Sequence, residues 1–205
     1  MTPLRRIQGV AIPFDRINVD TDLIISSDHL KGVNRTGLGK HAFEDLRAND
    51  PENVFDSPRN RGAPILLTGI GFGSGSSREH AAWALSDMGI RCVIGPGFAD
   101  IFAGNAFKNG IAVITLPSDH VDQLMMYARD HELDIGIEEQ EIVVTNGKTY
   151  HFELDAFRKH CLMSGLDEIS LTEQDDERIS LFERNRAHER SFVDSRLVNG
   201  KLSHS

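Results

Sequence analysis

The 205-residue sequence has little of what several classes of protein depend on. Its two cysteines, Cys92 and Cys161, are too few to hold an iron–sulfur cluster, and we expect two buried thiols in a reducing cytoplasm. No apolar stretch approaches the length of a membrane span, and the N-terminal residues lack the hydrophobic core of a secretion signal. These absences predict a cytoplasmic protein without a membrane partner.

Positive charge is also scarce. Asp and Glu number 31 against 22 Lys and Arg, which gives a formal net charge of -9. This balance argues against general binding to nucleic acid or to acidic membranes, so an anionic substrate would have to be held by local arginines. The remaining composition, 40% hydrophobic and 26% charged, is ordinary for a soluble globular protein with one main domain.

Residues 73–81 combine glycines with adjacent hydroxyls at Ser76 and Ser77 and the guanidinium of Arg78. The apolar residues 64–72 before them predict a strand, and residues 79–88 after them predict a helix. N–H groups in the first turn of a helix have no internal partner and, with the helix dipole, favour negative charge. The turn is therefore suited to hold an anion and to stabilise a serine alkoxide.

The same turn also fits a purely structural interpretation. Ser76 and Glu79 match a capping box, in which the serine caps the helix and the glutamate bonds back to its N–H. The residues alone leave both interpretations open. Their spacing does exclude a nucleophile elbow, a dinucleotide fingerprint and a phosphate-binding loop.

The other segments predict an α/β protein. Strands are predicted at residues 7–12, 91–95 and 111–116, and a helix between the last two carries one apolar face. The residues of that face are Phe98, Ile101, Phe102, Ala106 and Phe107. This order of strand, helix and strand predicts parallel pairing at the core. Residues 45–60 are polar and predict a surface excursion.

The C-terminal half predicts a helix capped by Ser118, then a hairpin of residues 137–144 and 149–154 around Asn146-Gly147. Asp155 is predicted to open a short helix that ends near Gly165. A further helix is expected from Thr172. We expect the folded domain to span residues 1–184 and the charged tail, residues 185–205, to be partly disordered.

At residues 73–81 the chain strongly resembles the small subunits of 3-isopropylmalate dehydratase, relatives of aconitase. The resemblance extends over residues 5–182 and includes four further segments in the same order. These are residues 18–25 (Asn-Val-Asp-Thr-Asp-Leu-Ile-Ile), 35–39 (Arg-Thr-Gly-Leu-Gly), 98–105 and 155–161. The resemblance implies a three-layer, swivelling β/β/α domain of the aconitase superfamily with a C-terminal helical extension, where pattern alone indicates only α/β.

The resemblance also implies an activity and its residues. The family is a hydro-lyase that interconverts 2-isopropylmalate and 3-isopropylmalate through isopropylmaleate in leucine biosynthesis. Ser76 matches the family's acid/base, Ser77 and Arg78 match substrate contacts, and Arg35 matches a second carboxylate-binding arginine. A proton next to a carboxylate is weakly acidic, so its removal needs a strong base and nearby cations, which these residue types supply. No metal ligand is expected on this chain.

The family's [4Fe–4S] cluster is held by a separate large subunit, where its iron acts as a Lewis acid. The resemblance therefore implies a heterodimeric enzyme that is active only with that partner and a small hydroxy-diacid substrate. The loop that chooses the substrate side group corresponds to Leu30, Lys31, Gly32 and Val33.

The chain departs from the family pattern at several positions. Ser74 replaces a common cysteine, Ala82 replaces a proline, and Ser26-Ser27 stands where a proline commonly follows Ile-Ile at the entry to the specificity loop. These differences leave two alternatives open. One is a related hydro-lyase for another branched or citrate-like diacid, and the other is a non-catalytic paralogue that binds an anion or a partner chain.

Histidines and aspartates near these motifs also fit ordinary structural roles. His80 is expected to be a structural hydrogen-bonding partner rather than a base. His29 and His41 flank Arg35, but their spacing does not predict a metal site. Asp20 and Asp22 fit the orientation of a substrate arginine, the closing of the subunit interface, or a turn held by side-chain hydrogen bonds, with the turn favoured for Asp20.

Overall fold

A computed structural model of the protein describes residues 1–30 and 35–166. A parallel sheet forms its centre, in the order β2-β3-β4-β5. Its strands are β2 (Ala11–Phe14), β3 (Ile65–Thr68), β4 (Cys92–Gly95) and β5 (Ala112–Thr115). The parallel pairing predicted from the order of strand, helix and strand is confirmed.

A second sheet is antiparallel, with the order β1-β6-β7-β8. It contains β1 (Arg6–Gly9), β6 (Leu133–Gly136), β7 (Glu141–Val144) and β8 (Thr149–His151). The predicted hairpin at Asn146-Gly147 is confirmed, because Gly147 has φ +90° and the Gly147 N–H donates to Val144 O at 2.8 Å.

Six α-helices lie among the described residues. They are α1 (Thr21–Ile24), α2 (Glu44–Asn49), α3 (Glu79–Met88), α4 (Asp100–Lys108), α5 (Ser118–Tyr127) and α6 (Ala156–Ser164). As predicted, Asp155 caps α6 by accepting from the Phe157 and Arg158 N–H groups, both at 3.1 Å. The expected cap of α5 is wrong, because Ser118 is its first helical residue and Pro117 precedes it.

The parallel sheet is buried on both faces, which is the reason its strands read as continuous apolar runs. Along β3, Ile65 and Leu67 face the core shared with the antiparallel sheet, whereas Leu66 faces a second core. Leu85 of α3 and Phe102 of α4 contribute to that second core. The layers are therefore the antiparallel sheet, the parallel sheet and a helical layer with α3 and α4, as the β/β/α expectation requires, while α5 and α6 contribute to the core shared by the two sheets.

Two strand predictions need correction. Residues 7–12 do not form one strand, since Ile7 pairs antiparallel with Ile135 of β6 while Ile12 pairs parallel with Leu66 of β3. The chain changes sheets around Val10, which a uniformly apolar run does not reveal. Residues 137–140 form a turn rather than part of a strand, with Gln140 at φ +58°, and the preceding strand β6 was not predicted.

The predicted surface excursion at residues 45–60 is only partly right. It contains part of α2, and its Phe55 is 4% exposed and stacks on Phe43 with ring centroids 4.1 Å apart. The buried amide of Asn53 makes this possible, because its Oδ1 accepts from the Phe55 and Asp56 N–H groups. The apolar face of α4 is also narrower than predicted, since Ile101 is 56% exposed.

Residues 1–166 form one compact unit. The expected domain end at residue 184, the helix from Thr172 and the charged tail 185–205 lie outside the described residues, as do Lys31, Gly32 and Val33 of the specificity loop. Within residues 1–30 and 35–166, no helix is long and apolar enough to cross a membrane.

Candidate active site

The glycine-rich turn leaves the carboxyl end of β3, where ligands commonly bind in open α/β sheets. Loops that follow the neighbouring strands β2 and β4 hold it on both sides. Gly73 N–H donates to Val19 O at 2.7 Å, and Thr21 N–H donates to Ser74 O at 2.9 Å. On the other side, Ala99 N–H donates to Phe72 O at 3.0 Å. The turn is thus part of an extended backbone hydrogen-bond network.

Gly73 lets the turn approach the helical layer. Its φ is +80°, and a Cβ there would lie 2.8 Å from Cδ1 of Phe102 and still closer to Cγ and Cβ of that side chain. Gly75, at φ +94°, has ordinary space around it, with Asp20 Cβ 3.4 Å away. The backbone conformation requires glycine at both positions, and the packing requires it only at Gly73.

Ser76 and Ser77 are exposed at the end of the turn. The Ser76 carbonyl accepts from Thr21 Oγ1 at 3.2 Å and from Arg78 N–H at 2.7 Å, which fixes the backbone. Among the described residues, no group hydrogen-bonds either serine hydroxyl. The capping-box interpretation is wrong, because α3 begins at Glu79 after Arg78 and has no side-chain cap. The first-turn N–H groups are therefore not satisfied by Ser76.

Arg78 is held by Asp22, with Nη1 of the arginine hydrogen-bonded to Oδ1 of the carboxylate. Asp22 lies in α1, which follows β2, so the pair links neighbouring loops at the same sheet edge. Asp20 does not contact the arginine, because its Oδ1 accepts from Leu23 N–H at 2.7 Å and caps α1. The structure thus separates the two roles that the sequence left open for these aspartates.

Arg35 lies on a different segment and contacts the other part of α3. Its guanidinium carbon is 5.0 Å from the centre of the Trp83 ring, within cation–π distance. Both residues line a cavity of about 250 Å³, together with Thr36, Ser86, Asp87 and Asn109. Ser76, Ser77 and Arg78 are not among its lining residues. The group of Ser76, Ser77 and Arg78 therefore lies directly before α3, whereas Arg35 lies against Trp83 within that helix.

Further contacts connect the beginning of α3 to this cavity. Glu79 Oε1 accepts from Asn109 Nδ2 at 3.1 Å, and Asn109 lines the Arg35 cavity. The His80 ring lies 4.5 Å from the Trp83 ring, so it packs on the residue that supports Arg35. Asn109 and Trp83 were not predicted as site residues, because nothing in their spacing distinguishes them from ordinary helical residues.

The described part of the specificity loop is Leu30, which packs against the helical core. The family departure before it has a local structural role, because Ser26 Oγ accepts from Asp28 N–H at 3.4 Å and caps a 3₁₀ turn, Ser27–His29. That turn ends at His29. The structure brings His29 close to His41 and Glu44, a cluster that the sequence spacing did not predict.

The two cysteines do not fit an iron–sulfur cluster. Cys92 is buried in β4 and Cys161 is buried in α6, and both thiols are free. Burial raises the pKa of the Cys92 thiol far above its ordinary value. The pKa of Cys161 is also raised, mainly by burial and to a smaller extent by the negative charge of Asp155. Cluster ligands are thiolates, so both sites oppose the required ionisation.

This fold and site define the swivel domain of the aconitase superfamily. In agreement, the family described as the aconitase C-terminal domain matches residues 1–119. The 3-isopropylmalate dehydratase small subunit of Novosphingobium aromaticivorans is 55% identical over 172 residues, covering 84% of this chain and 85% of the relative. The corresponding subunit of Zymomonas mobilis is 46% identical over 193 residues, covering 94% and 100%.

A solved structure supports the same relationship. The crystal structure of 3-isopropylmalate dehydratase from Methanocaldococcus jannaschii is similar with a TM-score of 0.66 and 29% identity, and the match covers 85% of this chain and 98% of that one. The chain belongs to the family of 3-isopropylmalate dehydratase small subunits.

Proposed function

We propose that this chain, together with a large subunit, interconverts 2-isopropylmalate and 3-isopropylmalate by dehydration and rehydration through isopropylmaleate. The observation that carries the proposal is the exposed Ser76 hydroxyl, which lies before an uncapped helix start and two residues before Arg78, whose guanidinium is held by Asp22. A helix cap would have consumed this hydroxyl and the first-turn N–H groups. Among the described residues, no side-chain cap engages this helix start.

Ser76 is the proposed acid/base. It removes the proton on the carbon next to a substrate carboxylate and returns a proton during rehydration. A serine hydroxyl is a weak acid, so its alkoxide needs stabilisation. The helix N-terminus and Arg78 place positive potential at this position and lower the cost of forming the alkoxide. The hydrogen bonds to the Ser76 carbonyl hold the backbone in place without engaging the hydroxyl.

Arg78 and Ser77 are proposed to hold the carboxylate at the reacting carbon, and Arg35 to hold the second carboxylate. Arginine suits this role because its planar guanidinium binds carboxylates in a bidentate manner. Trp83 would support Arg35 from beneath its guanidinium plane, and its buried Nε1 has no hydrogen-bond partner among the described residues.

The cluster is proposed to reside on the large subunit, because neither cysteine here is suited to ligate iron. This chain's own contribution is the proton transfer and the binding of carboxylates. Loss of the substrate hydroxyl then depends on groups that the partner supplies. Both thiols are free, as expected for a protein that works in the reducing cytoplasm.

The test uses the complex of the full chain with a cluster-loaded large subunit and follows isopropylmaleate by ultraviolet absorbance. Ser76→Ala should abolish turnover, while the complex forms at the same concentration. Ser118→Ala is the control, because Ser118 is also an exposed serine at a helix start but lies in α5. Full activity of Ser76→Ala would refute the assigned role of this serine.

A related diacid remains a second candidate substrate, and the capping serine at position 26 is the observation that favours it. The segment after Ser26 leads to the residues that select the substrate side group in the family. Turnover of a citrate-like or differently branched diacid at a higher kcat/KM than isopropylmalate would support this candidate. Stable binding of the large subunit without turnover of any diacid would instead indicate a non-catalytic paralogue.

A further inference from the structure

His29, His41 and Glu44 converge on one point of the surface. Glu44 Oε2 lies 2.5 Å from His29 Nε2 and 3.1 Å from His41 Nδ1, so two imidazole nitrogens face the same carboxylate oxygen. The two rings are stacked, with centroids 3.8 Å apart and planes inclined by 20°. Within residues 1–30 and 35–166, these three residues are the one group of histidine, cysteine or carboxylate ligands close enough to share an ion.

Separate elements bring the three side chains together. His29 ends the 3₁₀ turn Ser27–His29, His41 ends the 3₁₀ turn Gly39–His41, and Glu44 begins α2. The backbone between them is fixed by the Ala42 and Phe43 positions, both fully buried, and Phe43 N–H donates to Ile24 O at 2.9 Å. The backbone that carries the cluster is therefore held by buried residues.

The geometry resembles an empty three-ligand site. A tetrahedral zinc ion with bonds of about 2.1 Å separates its ligand atoms by about 3.4 Å. His41 Nδ1 and Glu44 Oε2, at 3.1 Å, are already near this separation. The ligand atoms of all three residues lie within 4.8 Å of one another, so small rotations of the side chains suffice to accept an ion.

The chemistry of the three groups selects the kind of ion. Imidazole nitrogen with one carboxylate oxygen suits zinc and similar transition metals, whereas calcium and magnesium prefer oxygen ligands alone. The histidine side chains are 25% exposed and Glu44 is 46% exposed, which leaves one side of the cluster open.

We propose that His29, His41 and Glu44 form a binding site for a divalent transition metal ion, with zinc as the best-fitting ion and water completing its coordination. This site is separate from the proposed acid/base Ser76 and does not depend on the enzymatic activity. It revises the expectation that the chain has no metal ligands.

Isothermal titration of the untagged full chain with ZnCl₂, after removal of metals, tests the site. His29→Phe removes one ligand but keeps an aromatic ring to stack on His41, and Glu44→Gln keeps the size of its side chain. His151→Ala is the matched control, because His151 also pairs with a glutamate, Glu141 at 3.4 Å, without a third ligand. Circular dichroism establishes that each variant is folded.

The wild-type chain should show one saturable site. Each ligand variant should raise the Kd for Zn²⁺ by about tenfold or more, since even an outer-shell partner of a metal ligand contributes 10- to 100-fold. His151→Ala should leave the Kd unchanged. Zn²⁺ should also raise the melting temperature of the wild type more than that of either ligand variant. The proposal is overturned if the wild type shows no saturable binding, or if His29→Phe and Glu44→Gln bind Zn²⁺ as tightly as the wild type.

Discussion

Gly73→Ala tests whether the glycine-rich turn is built as tightly as the structure indicates. The substitution adds one methyl group at a residue with φ +80°, directly against the ring of Phe102. Phe102 is 2% exposed and belongs to the core beneath the turn, so the ring has little room to withdraw. The new Cβ must therefore displace either the ring or the turn that carries Ser76.

The expected cost has two parts. A non-glycine residue in the left-handed region loses about 1–2 kcal/mol, and overpacking a filled core adds about 1–3 kcal/mol. Gly73→Ala should thus lower the free energy of unfolding by about 2–5 kcal/mol. Gly75→Ala, at φ +94° and with its nearest neighbour at 3.4 Å, should lose only the first part, about 1–2 kcal/mol.

Urea unfolding of the full chain, followed by circular dichroism, measures both variants under one set of conditions. A third measurement isolates the clash. In a Phe102→Ala background, which removes the Cγ and Cδ1 atoms but keeps the Cβ that the new methyl group would also meet, the additional cost of Gly73→Ala should be smaller than in the wild type but still larger than that of Gly75→Ala. Equal destabilisation by Gly73→Ala and Gly75→Ala in the wild-type background would refute the close packing of the turn on Phe102.

Three further predictions concern charge and reactivity. Asp22→Asn should lower kcat/KM of the complex by up to about fivefold, because a partly exposed ion pair contributes about 0–1 kcal/mol to holding Arg78; an increase would contradict its positioning role. Asp56→Asn should destabilise the chain at pH 7 by no more than about 1 kcal/mol. The hydrogen bond from Arg47 lowers the pKa of Asp56, so this difference in unfolding free energy should be constant above about pH 4 and disappear as the pH falls through the folded-state pKa; a difference that grew on acidification would contradict this. Both cysteine thiols should resist a thiol reagent in the native chain and react in guanidinium, because burial raises their pKa values; rapid native labelling would contradict their burial.

The sequence predicted the parts of the fold that are controlled by local pattern. The parallel core followed from apolar runs separated by an amphipathic helix, and the hairpin followed from Asn146-Gly147. The division of residues 7–12 between two sheets was not predictable, because a strand buried on both faces lacks the alternation that would show where it changes partners. Likewise, Phe55 is buried by a network around Asn53, and a polar segment gives no sign of such a network.

The candidate site shows a similar division. Family resemblance and residue chemistry identified Ser76, Arg78 and Arg35, and the roles assigned to them remain predictions. The sequence did not distinguish a cap from a free hydroxyl, because a capping box requires only the spacing that Ser76 and Glu79 possess. The helix start at Glu79 decided that question. The roles of Trp83 and Asn109 depend on contacts between distant segments, which spacing cannot reveal.

Helix α3 determines how the two arginine sites are arranged. Arg78 directly precedes the helix and is oriented by Asp22, whereas Arg35 is positioned by Trp83, five residues further along. Five residues of α-helix rise about 7.5 Å along the helix axis, so one rigid element links the two places where these arginines are held. Under the proposed function, the position of Trp83 on α3 would contribute to the selection of a dicarboxylate, and the choice among diacids is assigned to the specificity loop after Ser26.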